Sequence, residues 1–133
     1  MELRAVGRVE SPFLDRDSAP KQGDEGAPDA WLVLEESVAE AAGELEVGQD
    51  VLVLTWLHLA DRNVLRVHPR GDESRPLTGV FATRSPDRPN PIGLHRVRIL
   101  QIDGPRLRVS GLEALDGTPV VDVKPVLGGI AER

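Results

Sequence analysis

Cysteine is absent from this 133-residue chain, which excludes disulfides, thiol nucleophiles and thiolate metal sites. Aromatic residues make up only 3% of it, so its core must be aliphatic. Rings are also too few for the stacking platform on which single-stranded nucleic acids are held. No apolar run approaches a membrane span, and the start Met1-Glu2-Leu3-Arg4 lacks a hydrophobic signal region; a soluble cytoplasmic protein is the default. The phosphate cradles G-x-x-x-x-G-K-[ST] and strand-linked G-x-G-x-x-G are missing, and so is a nucleophile elbow. His58, His68 and His95 are scattered without metal spacing, so no metal site is expected.

What is present is charge, unevenly placed. The formal net charge is -6, which argues against a general nucleic-acid coat. Asp15 to Asp50 carries eleven acidic and two basic residues, whereas Asp61 to Arg98 carries eight arginines and four acids. An anionic ligand or a phosphate backbone suits the second half. Arg62, Arg66, Arg70 and Arg75 also fit a solvated surface of mixed charge.

Length fits one domain with a real core. Loose alternation over Leu3 to Val9 predicts a first strand, and Ala30-Trp31-Leu32-Val33-Leu34 a second. Between them, Phe13 to Pro28 is rich in charge, Gly and Pro and reads as a long loop. Glu36 to Ala42 predicts one short helix, with Ser37 as cap, Glu40 as its capping-box partner and Gly43 at the end. The nearly continuous apolar run Val51 to Leu59 predicts a strand buried on both faces, with His58 on the face of Leu54 and Trp56. Val64 to Val67 and Val80 to Thr83 read as short strands. Val97 to Ile102 and Arg106 to Ser110 flank Asp103-Gly104-Pro105, the chemistry of a hairpin turn. Leu115-Asp116-Gly117-Thr118-Pro119 supplies another turn before Val120 to Pro125. The result is a mainly β chain, a barrel or a sandwich, with one short helix and long loops.

The stretch Thr78 to Leu94 has the densest punctuation: three prolines, two glycines and two arginines in seventeen residues. Pro86, Pro89 and Pro91 each fix φ, remove a donor and push the preceding residue toward extended backbone. Arg84, Ser85, Arg88 and Asn90 are thereby held in fixed directions, as a preorganised polar site requires. Proline-rich loops also serve simply as connections. Gln22, His58 and the Asp116-Gly117-Thr118 turn are the other polar residues expected at strand ends, where they could surround one pocket. His58, a lone histidine at the end of a core strand, reads first as a hydrogen-bonded structural residue and second as a base or ligand.

Gly79 to Leu94, with Val6-Gly7-Arg8-Val9-Glu10-Ser11-Pro12-Phe13, Leu115 to Pro125 and, more weakly, Ala19-Pro20-Lys21-Gln22-Gly23, closely resembles the signature of the tRNA threonylcarbamoyladenosine methyltransferase family, also called TsaA-like or TrmO-like. The resemblance spans nearly the whole chain. It implies one single-sheeted β-barrel domain over residues 1–133, a homodimer, and S-adenosylmethionine bound near the dimer interface. It implies methyl transfer to the exocyclic amine of threonylcarbamoyladenosine in tRNA. Other implied readings are the same chemistry on another RNA or a small molecule, and a dimeric S-adenosylmethionine-binding protein without turnover. Carried over residue by residue, it places Gln22, Gly23, His58, Arg84, Arg88, Leu94, Asp116, Gly117 and Thr118 at the cofactor. Arg84, Ser85, Arg88 and Asn90 fall at the substrate, with His58 and Asp116 as catalytic candidates. Three departures bear on the substrate: no C-terminal tRNA-recognition domain is expected, Val126 replaces the family's usual tyrosine, and His95 stands where a small polar residue is common.

Overall fold

The computed structural model describes residues 1–14 and 28–128. In chain order it contains β1 (Gly7–Glu10), β2 (Ala30–Leu34), a 3-10 helix (Glu36–Ala42), β3 (Asp50–Trp56), β4 (Arg66–Val67), a 3-10 turn (Pro69–Gly71), β5 (Thr78–Gly79), a 3-10 turn (Val80–Ala82), β6 (Ile92–Asp103), β7 (Arg106–Ser110) and β8 (Pro119–Pro125). Six strands close into one antiparallel barrel in the order β1-β2-β7-β6-β3-β8, with β8 returning to β1; β4 and β5 form a separate two-stranded ladder. The expected single-sheeted barrel is therefore present. Closure leaves no barrel edge exposed to pairing.

Alternation decides what fills the interior. Val9, Leu32, Val51, Val53, Val97, Ile99, Leu107, Val109 and Val120 point inward and are essentially inaccessible, joined by Leu112. These branched aliphatic side chains suit a narrow barrel whose inside is packed by side chains alone. β6 is long enough to serve two neighbours: Ile92 to Arg98 pairs with β3, and Arg98 to Asp103 with β7. A register shift between Ile99 and Gln101 leaves Leu100 unpaired and bends the strand. The β6–β7 hairpin turns at Gly104, whose φ of 58° is the conformation that glycine adopts without a Cβ penalty.

Several expectations need correction. The first strand begins at Gly7, not Leu3, which is exposed. The helix at Glu36–Ala42 is of the 3-10 type, begins after Glu35, and has no side-chain cap. Ser37 instead accepts a hydrogen bond from Arg4; with no fully buried residue, this segment gains little from packing. β3 ends at Trp56, and it is buried on one face only: Val51, Val53 and Thr55 point inward while Leu52, Leu54 and Trp56 are half-covered outside. Val80–Ala82 is a 3-10 turn rather than a strand. The Arg88 guanidinium draws the Val80 and Thr83 carbonyls to one nitrogen, and the Thr83 amide closes on Val80 at 3.0 Å. Among the described residues no helix is long and apolar enough to cross a membrane, and no group of three or more His, Asp and Glu side chains could hold a metal ion.

Candidate functional site

The proline loop is held by its own side chains. Thr83 Oγ1 donates to the Val80 carbonyl, the Ser85 amide donates to Thr83 Oγ1, and the Asp87 amide donates to Ser85 Oγ. Such short side-chain-to-backbone bonds stand in for the ladder that proline forbids. Arg88 folds back under the loop to the Val80 and Thr83 carbonyls, the latter at 2.7 Å. Arg62 grips the other end, donating to the Pro89 carbonyl at 2.7 Å and Asn90 Oδ1 at 2.9 Å. Its guanidinium carbon lies 5.1 Å from the Trp56 ring centroid. Arg62 is therefore a clamp rather than an idle surface charge.

Beside this loop the outer wall of β6 and the segment after Ser110 border an open groove of about 1910 Å³. His58, Arg84, Ser85, Arg88, Leu94 and Thr118 all face it. Arg84 differs from Arg88 in two respects: it is exposed, and among the described residues it makes no hydrogen bond or ion pair. A cation on a braced loop, bordering a groove and without a partner among the described residues, is suited to a ligand carboxylate or phosphate. Asp50, also on the groove, is held below the usual carboxylate range by its hydrogen bonds to Arg98 at 2.8 Å and Arg96 at 3.2 Å.

Not all expected residues converge here. Asp116 and Gly117 line a smaller cavity of about 500 Å³ with Arg8, Glu10 and Trp31. Asp116 Oδ1 accepts the Ser11 amide, its own amide donates to Phe13, and the Gly117 amide donates to Val9. The turn thus ties the exit of β1 to the entry of β8, with Thr118 on its groove side. Asn90 borders neither space and is engaged by Arg62. Gln22 and Gly23 lie outside the described residues.

Three polar residues outside the expected site set meet here: His95 and Glu113 line the groove, and Thr55 is buried behind His95. Thr55 Oγ1 and His95 Nε2 are 2.8 Å apart, and His95 Nδ1 is 3.5 Å from Glu113 Oε1. Gly93 makes room for them, since a Cβ there would lie 2.4 Å from Thr55 Oγ1 and 2.8 Å from His95 Nε2. The signal was available: a threonine inside an apolar strand, and a histidine two residues after a glycine, both at inward positions of alternating strands.

The family model for the tRNA-methyltransferase O N-terminal domain matches residues 8–130. A probable S-adenosyl-L-methionine-binding protein of Methanothermobacter thermautotrophicus is 49% identical over 125 residues, 94% of this chain and 89% of the relative. An S-adenosyl-L-methionine-binding protein of Archaeoglobus fulgidus is 42% identical over 124 residues, 93% of this chain and 88% of the relative. Among solved structures, a crystal structure of TrmO superposes with TM-score 0.76 at 32% identity, covering 100% of this chain and 62% of that one. TrmO from Pseudomonas aeruginosa gives 0.75 at 31%, covering 100% and 60%. The chain thus spans about three fifths of the solved chains it resembles.

Proposed function

The chain belongs to the tRNA-methyltransferase O N-terminal domain family, and from that premise we propose that it is an S-adenosylmethionine-dependent methyltransferase acting on the exocyclic amine of threonylcarbamoyladenosine in tRNA. The observation that carries the reading is Arg84: an exposed guanidinium on a braced loop, facing the groove and without a partner among the described residues. The donor has an α-carboxylate that such a group can pair with. Leu94 and the exposed Leu59 give the same groove an apolar side for an adenine ring.

When bound, the donor supplies an electrophilic methyl group on a sulfonium sulfur. The protein's task is then alignment and a suitable field, because the displacement is in line and needs no covalent intermediate on the protein. Arg84 anchors one end of the donor, the clamped loop keeps that anchor in place, and Leu115 and Thr118 line the same groove. Arg66, Arg70 and Arg75 border the same groove and provide positive charge toward a phosphate backbone or the threonyl carboxylate. The partner of a homodimer would rest on the exposed apolar surface of Phe81, Ile92 and Leu94, and so cover the groove. Gln22 and Gly23 join the donor site in this reading. Calorimetry with S-adenosylmethionine and its demethylated product tests the donor site: saturable heat is expected, and none at high micromolar ligand would contradict it.

A further inference from the structure

We propose that Glu113 receives the proton of the nitrogen being methylated, with His95 positioning its carboxylate and Thr55 positioning the His95 ring. The inference rests on the methyltransferase reading above.

The three residues form a line that ends at the groove. Thr55 is fully buried on β3, and its hydroxyl meets His95 Nε2 at 2.8 Å. The His95 side chain is 6% exposed, and its other ring nitrogen, Nδ1, faces Glu113 Oε1 at 3.5 Å. Both ring nitrogens are therefore directed at protein neighbours and neither is left for a substrate. The open end is Glu113, whose side chain is 20% exposed and borders the groove. With the ring proton on Nδ1, Nε2 accepts from the Thr55 hydroxyl and Nδ1–H points at the carboxylate, fixing its direction.

Unused hydrogen-bonding capacity sits at this end. Among the described residues, His95 Nδ1 and Glu113 Oε2 are buried without a hydrogen-bond partner, although buried polar atoms are normally paired. The 3.5 Å from His95 Nδ1 to Glu113 Oε1 is longer than a formed hydrogen bond to a carboxylate. Catalytic contacts of this kind often tighten only when substrate is present. The surrounding backbone is also specialised. Thr55 stands at a register shift between β3 and β8 and opposite Gly93 of β6, where any side chain would strike the Thr55–His95 pair.

The chemistry requires such a group. An exocyclic nitrogen conjugated to both a purine and a carbamoyl carbonyl is a poor nucleophile while it keeps its hydrogen, and its product has lost that hydrogen. As the nitrogen–carbon bond forms, the carbon–sulfur bond breaks with its electron pair remaining on sulfur. The N–H bond breaks as well, and its proton passes to the Glu113 carboxylate. A carboxylate held in fixed orientation within a partly buried wall is suited to that transfer. His58 borders the groove too, but it is exposed and no described residue orients it.

The test compares the wild-type chain with Glu113→Gln, Glu113→Asp and His95→Gln. The readouts are calorimetry with S-adenosylhomocysteine, steady-state methyl transfer to tRNA bearing threonylcarbamoyladenosine, and thermal unfolding. Glu113→Gln is expected to bind S-adenosylhomocysteine and tRNA within about threefold of wild type while kcat falls about 100-fold or more. Glu113→Asp should recover part of kcat, and His95→Gln should lower kcat about tenfold at unchanged KM. If Glu113→Gln does not fold, the Asp and His95 variants carry the comparison, and full kcat in both overturns the proposal. Full activity in a folded Glu113→Gln, or a loss confined to KM, overturns it as well. A wild-type chain that binds S-adenosylhomocysteine yet methylates no tRNA removes the enzymatic reading and this role together, and that is seen before any variant is made.

Discussion

Arg62 and Asn90, 28 residues apart, are joined by a hydrogen bond of 2.9 Å that fixes the far end of the proline loop to the segment after β3. The same guanidinium holds the Pro89 carbonyl and lies over Trp56. Arg62→Ala removes all three contacts at once. It should lower stability by roughly 1 kcal/mol, because the bonds are solvent-exposed. The more telling readout is hydrogen exchange at the Arg88 amide, which is bonded to the Asp61 carbonyl beside the clamp. Faster exchange there, with barrel amides unchanged, is the expected outcome.

Arg84 and Arg88 should separate into a ligand contact and a structural one. Arg84 has no partner among the described residues, so Arg84→Ala should leave the melting temperature unchanged. Binding of S-adenosylhomocysteine should weaken by roughly 1.5 to 3 kcal/mol, the range of a charge-assisted contact. Arg88 serves two loop carbonyls, so Arg88→Ala should cost about 1 to 3 kcal/mol of stability by leaving them unsatisfied. Calorimetry and denaturant unfolding on the same two variants distinguish these roles.

Ile99 is completely buried at the bend of β6. Ile99→Ala should destabilise the barrel by about 2 to 5 kcal/mol, the usual combination of lost transfer energy and residual cavity. Equilibrium unfolding in urea checks it, with an unchanged slope showing that only stability has moved.

Asp50 gives the fold a defined acid sensitivity. Arg98 and then Arg96 lower its carboxyl in the folded state relative to the unfolded chain. The stabilisation is therefore fully present above the unfolded value, near pH 3.9, and is lost as pH falls through the lower folded value. Asp50→Asn should be less stable than wild type at pH 6, with the difference closing on acidification below about pH 4. Urea midpoints measured across that range at low salt provide the check.

The mainly β character was legible because the strands are short, branched and separated by Gly and Pro turns, while the choice of a barrel over a sandwich came from the family resemblance. Gly104 before Pro105 is a two-residue hairpin loop on inspection. The face of β3 was misread because Leu52, Leu54 and Trp56 are as apolar as its buried residues, and periodicity cannot separate a two-sided strand from a one-sided strand with an apolar outer face. Val80–Ala82 was misread because its turn is set by Arg88, which no local propensity encodes. The grouping of Arg84, Ser85, Leu94 and Thr118 was readable from the motif. The inward position of His95 was readable from alternation, but its pairing with Glu113 was not, since Glu113 lies in the irregular segment that follows β7 past its last pair with β6, Arg98 with Ser110.

The proposed reaction is methyl transfer from S-adenosylmethionine to a modified adenosine of tRNA. The direct measurement is mass spectrometry of nucleosides from threonylcarbamoyladenosine-bearing tRNA incubated with the protein and methyl-labelled donor. This nucleoside alone is expected to gain one labelled methyl group. Saturable donor binding with no labelled nucleoside in any tRNA would contradict it.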